Sequence, residues 1–374
     1  MRVLVADDSV LFRRLIGEVL ASLPGVEVVG IAANGKIALQ KLQELKPDLL
    51  TLDIEMPEMD GVAVMETLIR NGERAVEVIV VSGVSPRAGD LTMRALEKGA
   101  FDFIAKPDAA GPDQARETLL ADLAPRIRAV AHRLEVRSIL SGKSRVRKGL
   151  PIGAVAAEPA PAERPLDAVA KRMQRLSSLA KPEMVLIGVS TGGPQALAQL
   201  LPAIPRDIGV PMLIVQHMPP VFTKSLADSL AAKCAVSVRE AAHGELIEPN
   251  TAYIAPGGRQ MRLEVASGNR AIVELTDDPP ENNCRPAVDY LFRSAAHCFP
   301  GRAMAVILTG MGNNGTLGLR LLKRHGCFAI AQNEASCVVY GMPKSAVDAG
   351  VADVVLPLET IAGRIVATVK GARG

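Results

Sequence analysis

The chain has 374 residues, more than one hydrophobic core organises, so at least two domains are expected. At 48% hydrophobic and 22% charged, with 32 Gly and 26 Pro, it is neither collagen-like nor disordered throughout. The net charge of +3 averages unlike segments: residues 126–181 carry thirteen Lys and Arg against four Asp and Glu, so the basic excess lies in one middle stretch.

The N-terminus, MRVLVADDSV, meets Asp7 and Asp8 too early for a signal peptide, and no apolar run approaches a membrane span. Short apolar runs then alternate with amphipathic ones. Strands are predicted at Val3–Val5, Val26–Ile31, Asp48–Leu52, Val78–Val81 and Asp102–Ala105, with helices starting near Ser9, Asn34, Gly61, Gly89 and Asp113. This βα alternation predicts a doubly wound parallel sheet. Pro125 should end or kink the last helix, Arg126–Leu140 continues as a basic helical pattern, and the Ala/Pro-rich residues ~141–165 read as a linker. Leu166–Ala180 reads as a short amphipathic helix. From Glu183 the alternation resumes, with buried parallel strands at Met184–Val189, Met212–Gln216, Ala303–Leu308 and Phe328–Ala331. A hairpin, Arg259–Val265 with Ala271–Leu275, is inserted among them. Five cysteines without a C-x-x-C pair indicate neither a zinc ribbon nor a disulfide framework, which fits a cytoplasmic protein. With no Trp, seven Phe and three Tyr, the chain lacks the aromatic platform of a single-strand nucleic-acid binder.

In the first domain Asp7, Asp8 and Asp53 fall at strand ends, on the edge where such sheets place their sites. Three clustered carboxylates call for a cation, and oxygen-only ligands suit Mg²⁺. Ser82 and Lys106 end two further strands, so the set describes a phosphoryl-transfer site with Asp53 as nucleophile. VADDSVLFRR, LDIEMPEMDG, VVSG and FIAKP resemble the receiver domain of two-component response regulators. The resemblance implies that Asp53 takes phosphate from a histidine kinase and that Mg²⁺ is held by Asp8, Asp53 and the Glu55 carbonyl, beside Asp7. It also implies that Ser82 is the hydroxyl switch, Phe103 the aromatic switch and Lys106 a phosphate ligand.

In the second domain, Gly188-Val189-Ser190-Thr191-Gly192 joins a strand to a helix, the context in which G-x-S-x-G exposes a nucleophilic serine; a helix-capping serine is the alternative. His217 follows the next strand, 27 residues on, and supplies a base at the same edge. His132, His243, His297 and His325 have no such setting. A third glycine loop, Thr309–Gly315, follows Ala303–Leu308. Its Gly310, Gly312 and Gly315, with Glu334 beyond, also satisfy a dinucleotide-binding pattern, but that reading leaves Ser190 and His217 unexplained.

LIGVSTGGPQAL, VQHMPPVFTKSLA, YIAPGG, RPAVDYLFRSAA, LTGMGNNG and QNEASCVVYGMP closely resemble the catalytic domain of chemotaxis protein-glutamate methylesterases, the CheB family. The resemblance implies two doubly wound domains, flavodoxin-like and Rossmann-like, with domain limits of 1–124, a 125–181 linker and 182–374. It implies a Ser190 nucleophile, a His217 base and an oxyanion site at the N–H groups near Thr191 and Met311. The substrates it implies are methylated chemoreceptors, with glutamines deamidated by the same chemistry, under control of a CheA-type kinase. No cofactor is expected for the esterase, and neither a nucleic-acid partner nor a membrane span. The family's acid stands where this chain has Asn314. That departure predicts attenuated activity, a substitute acid at Asp289, Asp277 or Asp278, or a non-catalytic signalling module that binds receptors. The basic linker is read as a solvated tether, with attraction to an acidic receptor or membrane surface as the alternative.

Overall fold

In the computed structural model, which describes residues 1–72, 76–108, 111–140, 181–268 and 270–371, the apolar runs become the central strands of two sheets. The first sheet comprises β1 (Arg2–Ala6), β2 (Glu27–Ala32), β3 (Leu49–Asp53), β4 (Glu77–Ser82) and β5 (Asp102–Ala105), parallel in the order β2-β1-β3-β4-β5. Helices α1 (Val10–Ala21), α2 (Gly35–Leu45), α3 (Gly61–Arg70), α4 (Pro86–Glu97) and α5 (Pro112–Leu140) cover it. Ser9, Asn34, Asp60 and Ser85 cap the first four, each accepting a backbone N–H of the first turn. The Ser85 cap and Pro86 start α4 earlier than the pattern around Gly89 suggested.

Helix α5 runs through Pro125 without ending there. The proline removes one helical hydrogen bond, but Leu119, Leu123, Ile127 and Val130 keep one continuous face buried on the sheet. The basic residues that follow have partners on this domain: Arg126 Nε lies 2.9 Å from Asp102 Oδ2, and Arg137 Nη2 lies 2.7 Å from Glu77 Oε1. Part of the excess positive charge is therefore spent on carboxylates of the first domain. The predicted helix at Leu166–Ala180 and the cluster Lys143, Arg145, Arg147 and Lys148 lie outside the described residues.

The second sheet has seven parallel strands in the order β14-β13-β12-β6-β7-β9-β8. These are β6 (Met184–Val189), β7 (Met212–Gln216), β8 (Ser237–Glu240), β9 (Thr251–Ile254), β12 (Ala303–Ile307), β13 (Phe328–Gln332) and β14 (Val354–Leu356). The hairpin β10 (Gln260–Ala266) and β11 (Arg270–Thr276) forms a separate antiparallel pair. Helices α6 (Gly193–Leu200), α7 (Phe222–Ala231), α8 (Val288–Cys298), α9 (Thr316–Arg324), α10 (Met342–Asp348) and α11 (Leu358–Lys370) complete the domain. Because β6 lies between β7 and β12, the chain turns opposite ways on either side of it, and the loops after these three strands meet in one crevice. Among the described residues no helix is long and apolar enough to cross a membrane.

The two domains share buried surface. Phe103 of β5 meets Phe222 of α7, ring centroids 4.6 Å apart at 42°, inside a core cluster that draws on both sheets. Helix α4 packs on α6 and α7. At Gly89 a Cβ would stand 2.6 Å from Ser225 Oγ, so α4 and α7 approach closely there and a larger residue would have to displace that hydroxyl.

Candidate active site and the domain that covers it

The edge of the first sheet gathers the predicted carboxylates. Asp7, Asp8 and Asp53 each bring an oxygen within 4.8 Å of the others; Asp7 and Asp53 are buried and Asp8 exposed. This hard, oxygen-only donor set fits Mg²⁺. Lys106 Nζ reaches Asp53 Oδ2 at 2.7 Å and Asp7 Oδ2 at 2.9 Å. Burial, with Asp7 adding repulsion, pushes the Asp53 carboxyl up to about 6 against the pull of Lys106. The Glu55 backbone N–H lies 3.3 Å from Asp53 Oδ1, while its side chain turns out toward Arg87. Ser82 is engaged away from Asp53: it accepts from Thr92 Oγ1 at 2.8 Å, with the carbonyls of Gly83 and Ala88 in reach. Thr92 lies on a helix face and carried no sequence signal.

In the second domain Ser190, His217 and the Thr309–Gly315 loop follow β6, β7 and β12, three neighbouring strands. Ser190 does not cap the helix behind it. That position belongs to Gly192, in left-handed backbone at φ 77°, and no side chain caps the helix. A Cβ on Gly193 would stand 1.8 Å from Gln216 Oε1, and Gln216 Nε2 donates to the carbonyls of Ser190 (3.0 Å) and His217 (3.3 Å). Gln216 thus ties the ends of β6 and β7 together. Sequence reading passed over it because it looked like one more residue of the strand. Gly310 closes the third side: a Cβ there would meet Ser190 Cβ at 2.7 Å.

The imidazole of His217 has its Nε2 buried without a hydrogen-bond partner. Burial pulls its pKa down to about 4, and the hydrogen-bonding side chain of Asn314 is the group that opposes this pull. The orientation of Asn314 follows from its neighbours. The Asp289 backbone N–H donates to Oδ1 at 3.0 Å, while Nδ2 donates to the Glu281 carbonyl at 3.2 Å. A donor on one side and an acceptor on the other allow only one amide orientation.

None of the three alternative acids is hydrogen-bonded to His217. Asp289 is buried and raised in pKa by that burial, and its oxygens accept from Gly318 N (2.7 Å) and Asn282 Nδ2 (3.3 Å). It braces the turn that carries Asn314. Asp277 is exposed and pairs with Arg259, and Asp278 accepts from Tyr290 Oη. Of the other histidines, His243 accepts a backbone N–H from Leu275 at 3.2 Å, a structural role.

The N-terminal domain reaches this site. Thr191, beside Ser190, donates from Oγ1 to Asp102 Oδ2 at 3.0 Å, the oxygen that also takes Arg126 Nε. Gln195 Nε2 donates to the carbonyls of Leu96 (2.8 Å) and Ala100 (2.6 Å). Ser225 Oγ donates to Asp90 Oδ1 at 2.8 Å, and Lys233 pairs with Glu97. These contacts join residues about ninety or more positions apart, which leaves no trace in local pattern.

Fold and geometry together define the class: a receiver-type α/β domain with a carboxylate cluster at its strand ends, docked on a second α/β domain with a serine, a histidine and an asparagine loop after three neighbouring strands. Residues 3–114 match the response regulator receiver domain, and residues 185–365 match the CheB methylesterase domain. A protein-glutamate methylesterase/protein-glutamine glutaminase of Desulfotalea psychrophila is 49% identical over 371 residues, 99% of each chain; one of Trichodesmium erythraeum is 41% identical over 98% of each. The crystal structure of the Thermotoga maritima CheB methylesterase catalytic domain is 42% identical, covering 50% of this chain and 98% of its own, with a TM-score of 0.49. The chain belongs to the CheB family, with an N-terminal receiver and a C-terminal methylesterase domain.

Proposed function

We propose that this protein hydrolyses glutamyl methyl esters, and deamidates glutamines, on chemoreceptors, and that phosphorylation of its receiver by a histidine kinase controls the reaction. The observation that supports the reading is that Ser190, His217 and the Asn314 loop follow three neighbouring strands, β6, β7 and β12, with the Asn314 side chain hydrogen-bonded to His217.

Ser190 Oγ attacks the ester carbonyl carbon while His217 takes its proton. Asn314, its oxygen directed by the Asp289 N–H, holds the ring in the tautomer that can accept. The N–H groups of Ser190, Gly193 and Gly310 are bonded to the carbonyls of Thr309, Ser190 and Val339, which supports assigning the oxyanion to those of Thr191 and Met311. Collapse breaks the ester C–O bond, and His217 returns the proton to the leaving methoxide, giving methanol. Water, deprotonated by His217, then attacks the acyl carbon; the bond to Ser190 Oγ breaks, His217 returns the proton to Oγ, and glutamate leaves. With glutamine the leaving group is ammonia. A neutral amide stabilises the imidazolium less than a carboxylate does, so turnover is attenuated.

In the resting form Asp102 holds the hydroxyl beside the nucleophile, and the receiver covers the cleft. Asp7, Asp8, Asp53 and the Glu55 carbonyl would hold Mg²⁺, which when bound would supply the charge that lets Asp53 accept a phosphoryl group. Ser82 and Lys106 then receive its oxygens. For this Ser82 leaves Thr92, and Phe103 leaves Phe222, which loosens the domain contact. The test is methanol release from methylated receptor with and without a small-molecule phosphodonor. The donor should raise release in the wild type and leave Asp53→Asn unchanged. Equal stimulation of both would refute the control mechanism.

A further inference from the structure

Beyond the catalytic loops lies a cavity of about 520 Å³ between α9 and α10. It adjoins the site directly. Asn313, next to Asn314, forms one wall, and Gly341 forms another through its N–H bond to the Gly310 carbonyl, 3.0 Å long. Thr316 Oγ1 and Ser345 Oγ, 2.9 Å apart, tie α9 to α10 and fix the shape of the floor. The receiver packs on α6, α7, the Ser190 turn and the Val338–Val339 loop, and none of these contact residues lines the cavity, so this side of the cleft stays open in the resting form.

The chemistry of the walls is uneven. Lys344 is neutralised by Asp348, Nζ to Oδ2 2.6 Å. Arg320 is exposed and makes no ion pair among the described residues, leaving one uncompensated cation in the cavity. Leu317, one helical turn before Arg320, is 59% exposed. An exposed aliphatic side chain and a free guanidinium, three residues apart on one helix face, match a partner helix with an apolar stripe bordered by carboxylates. A substrate helix with unmodified glutamates beside the esterified one would present such a surface, because those glutamates keep their charge. A guanidinium fork suits a carboxylate better than any neutral side chain in the cavity.

We infer that the α9–α10 cavity is a docking subsite for the substrate helix, in which Arg320 binds an unmodified glutamate carboxylate beside the ester and Leu317 takes an apolar residue of the same helix. The inference rests on the esterase reading of Ser190 and deepens it, making Arg320 a specificity-determining residue. Because the receiver does not occupy the subsite, substrate can engage the resting enzyme there before phosphorylation opens the serine.

Binding without turnover tests this separately from the chemistry. The probes are two labelled helical peptides, each with one glutamate methyl ester, flanked four residues away on either side by glutamate in one and by glutamine in the other. Affinity is read by fluorescence anisotropy on the unphosphorylated full chain carrying Ser190→Ala. Arg320→Glu should weaken the glutamate-flanked peptide by about tenfold, Arg320→Lys should recover most of that loss, and the glutamine-flanked peptide should not respond. Arg270→Glu, an equal charge change on the hairpin and outside the cavity, should stay within about twofold. Equal losses for the two peptides, or equal losses in Arg320→Glu and Arg270→Glu, would overturn the inference. A failure of Ser190 to act as nucleophile would not affect this measurement.

Discussion

Asn314→Asp separates the electronic role of this position from its structural one. In serine proteases the reverse exchange lowers turnover about 10⁴-fold, or about 5 kcal/mol of barrier. The Asn314→Asp exchange also carries a cost to the fold. One carboxylate oxygen would keep the Asp289 N–H, but the other would face the Glu281 carbonyl, 3.2 Å from the present Nδ2. Trading that hydrogen bond for two opposed acceptors costs about 1–3 kcal/mol. That cost falls on the ground and transition states alike and so lowers the melting temperature, while the rate increase is on the order of 10²–10⁴-fold. Methanol release from methylated receptor under saturating phosphodonor measures it, with a thermal melt to confirm folding. The new carboxylate should also lift the His217 pKa from about 4 toward its ordinary value, moving the acid limb of the pH profile upward. A folded Asn314→Asp protein no faster than wild type would refute the claim that the amide limits turnover.

Gln195→Ala removes two hydrogen bonds from the interdomain contact and should raise activity without phosphodonor about tenfold, leaving phosphorylated activity within about twofold; methanol release checks both. Gly193→Ala drives a methyl group into Gln216 and should cost about 1–3 kcal/mol in a denaturant titration, with activity falling as the Ser190 and His217 carbonyls lose their common donor. The folded His217 pKa lies below the unfolded value of 6.5, so the unfolded chain binds the proton first and stability falls as pH drops from about 6.5 to about 4. The loss is on the order of 3 kcal/mol, and the pH dependence of the melting temperature should shrink in His217→Gln.

The central strands were legible because parallel strands buried on both faces read as continuous apolar runs, as in Met184–Val189 and Met212–Gln216. The edge strands were not: Ser237–Glu240 is short and polar, and Val354–Leu356 spans three residues. For the same reason the sites at strand ends could be placed, since Asp7, Asp53, Ser190 and His217 each close an apolar run. Of the two outcomes read from Pro125, an end or a kink, the end does not occur, because burial of Ile127 and Val130 outweighs the lost backbone bond. The neutral residue at position 314 was visible in the sequence. Its bracing by Asp289 and Glu281 was not, because those residues are far from it in the chain and act through backbone groups. The domain contact was equally hidden: nothing near Thr191 announces that Asp102 will accept its hydroxyl.

The central claim is that Ser190 performs the hydrolysis. Methanol release from methylated receptor by phosphorylated wild type and phosphorylated Ser190→Ala, at equal concentration, tests it most directly. The account predicts that the alanine protein loses at least about 10³-fold while still binding receptor. Release by Ser190→Ala at the wild-type rate would contradict it.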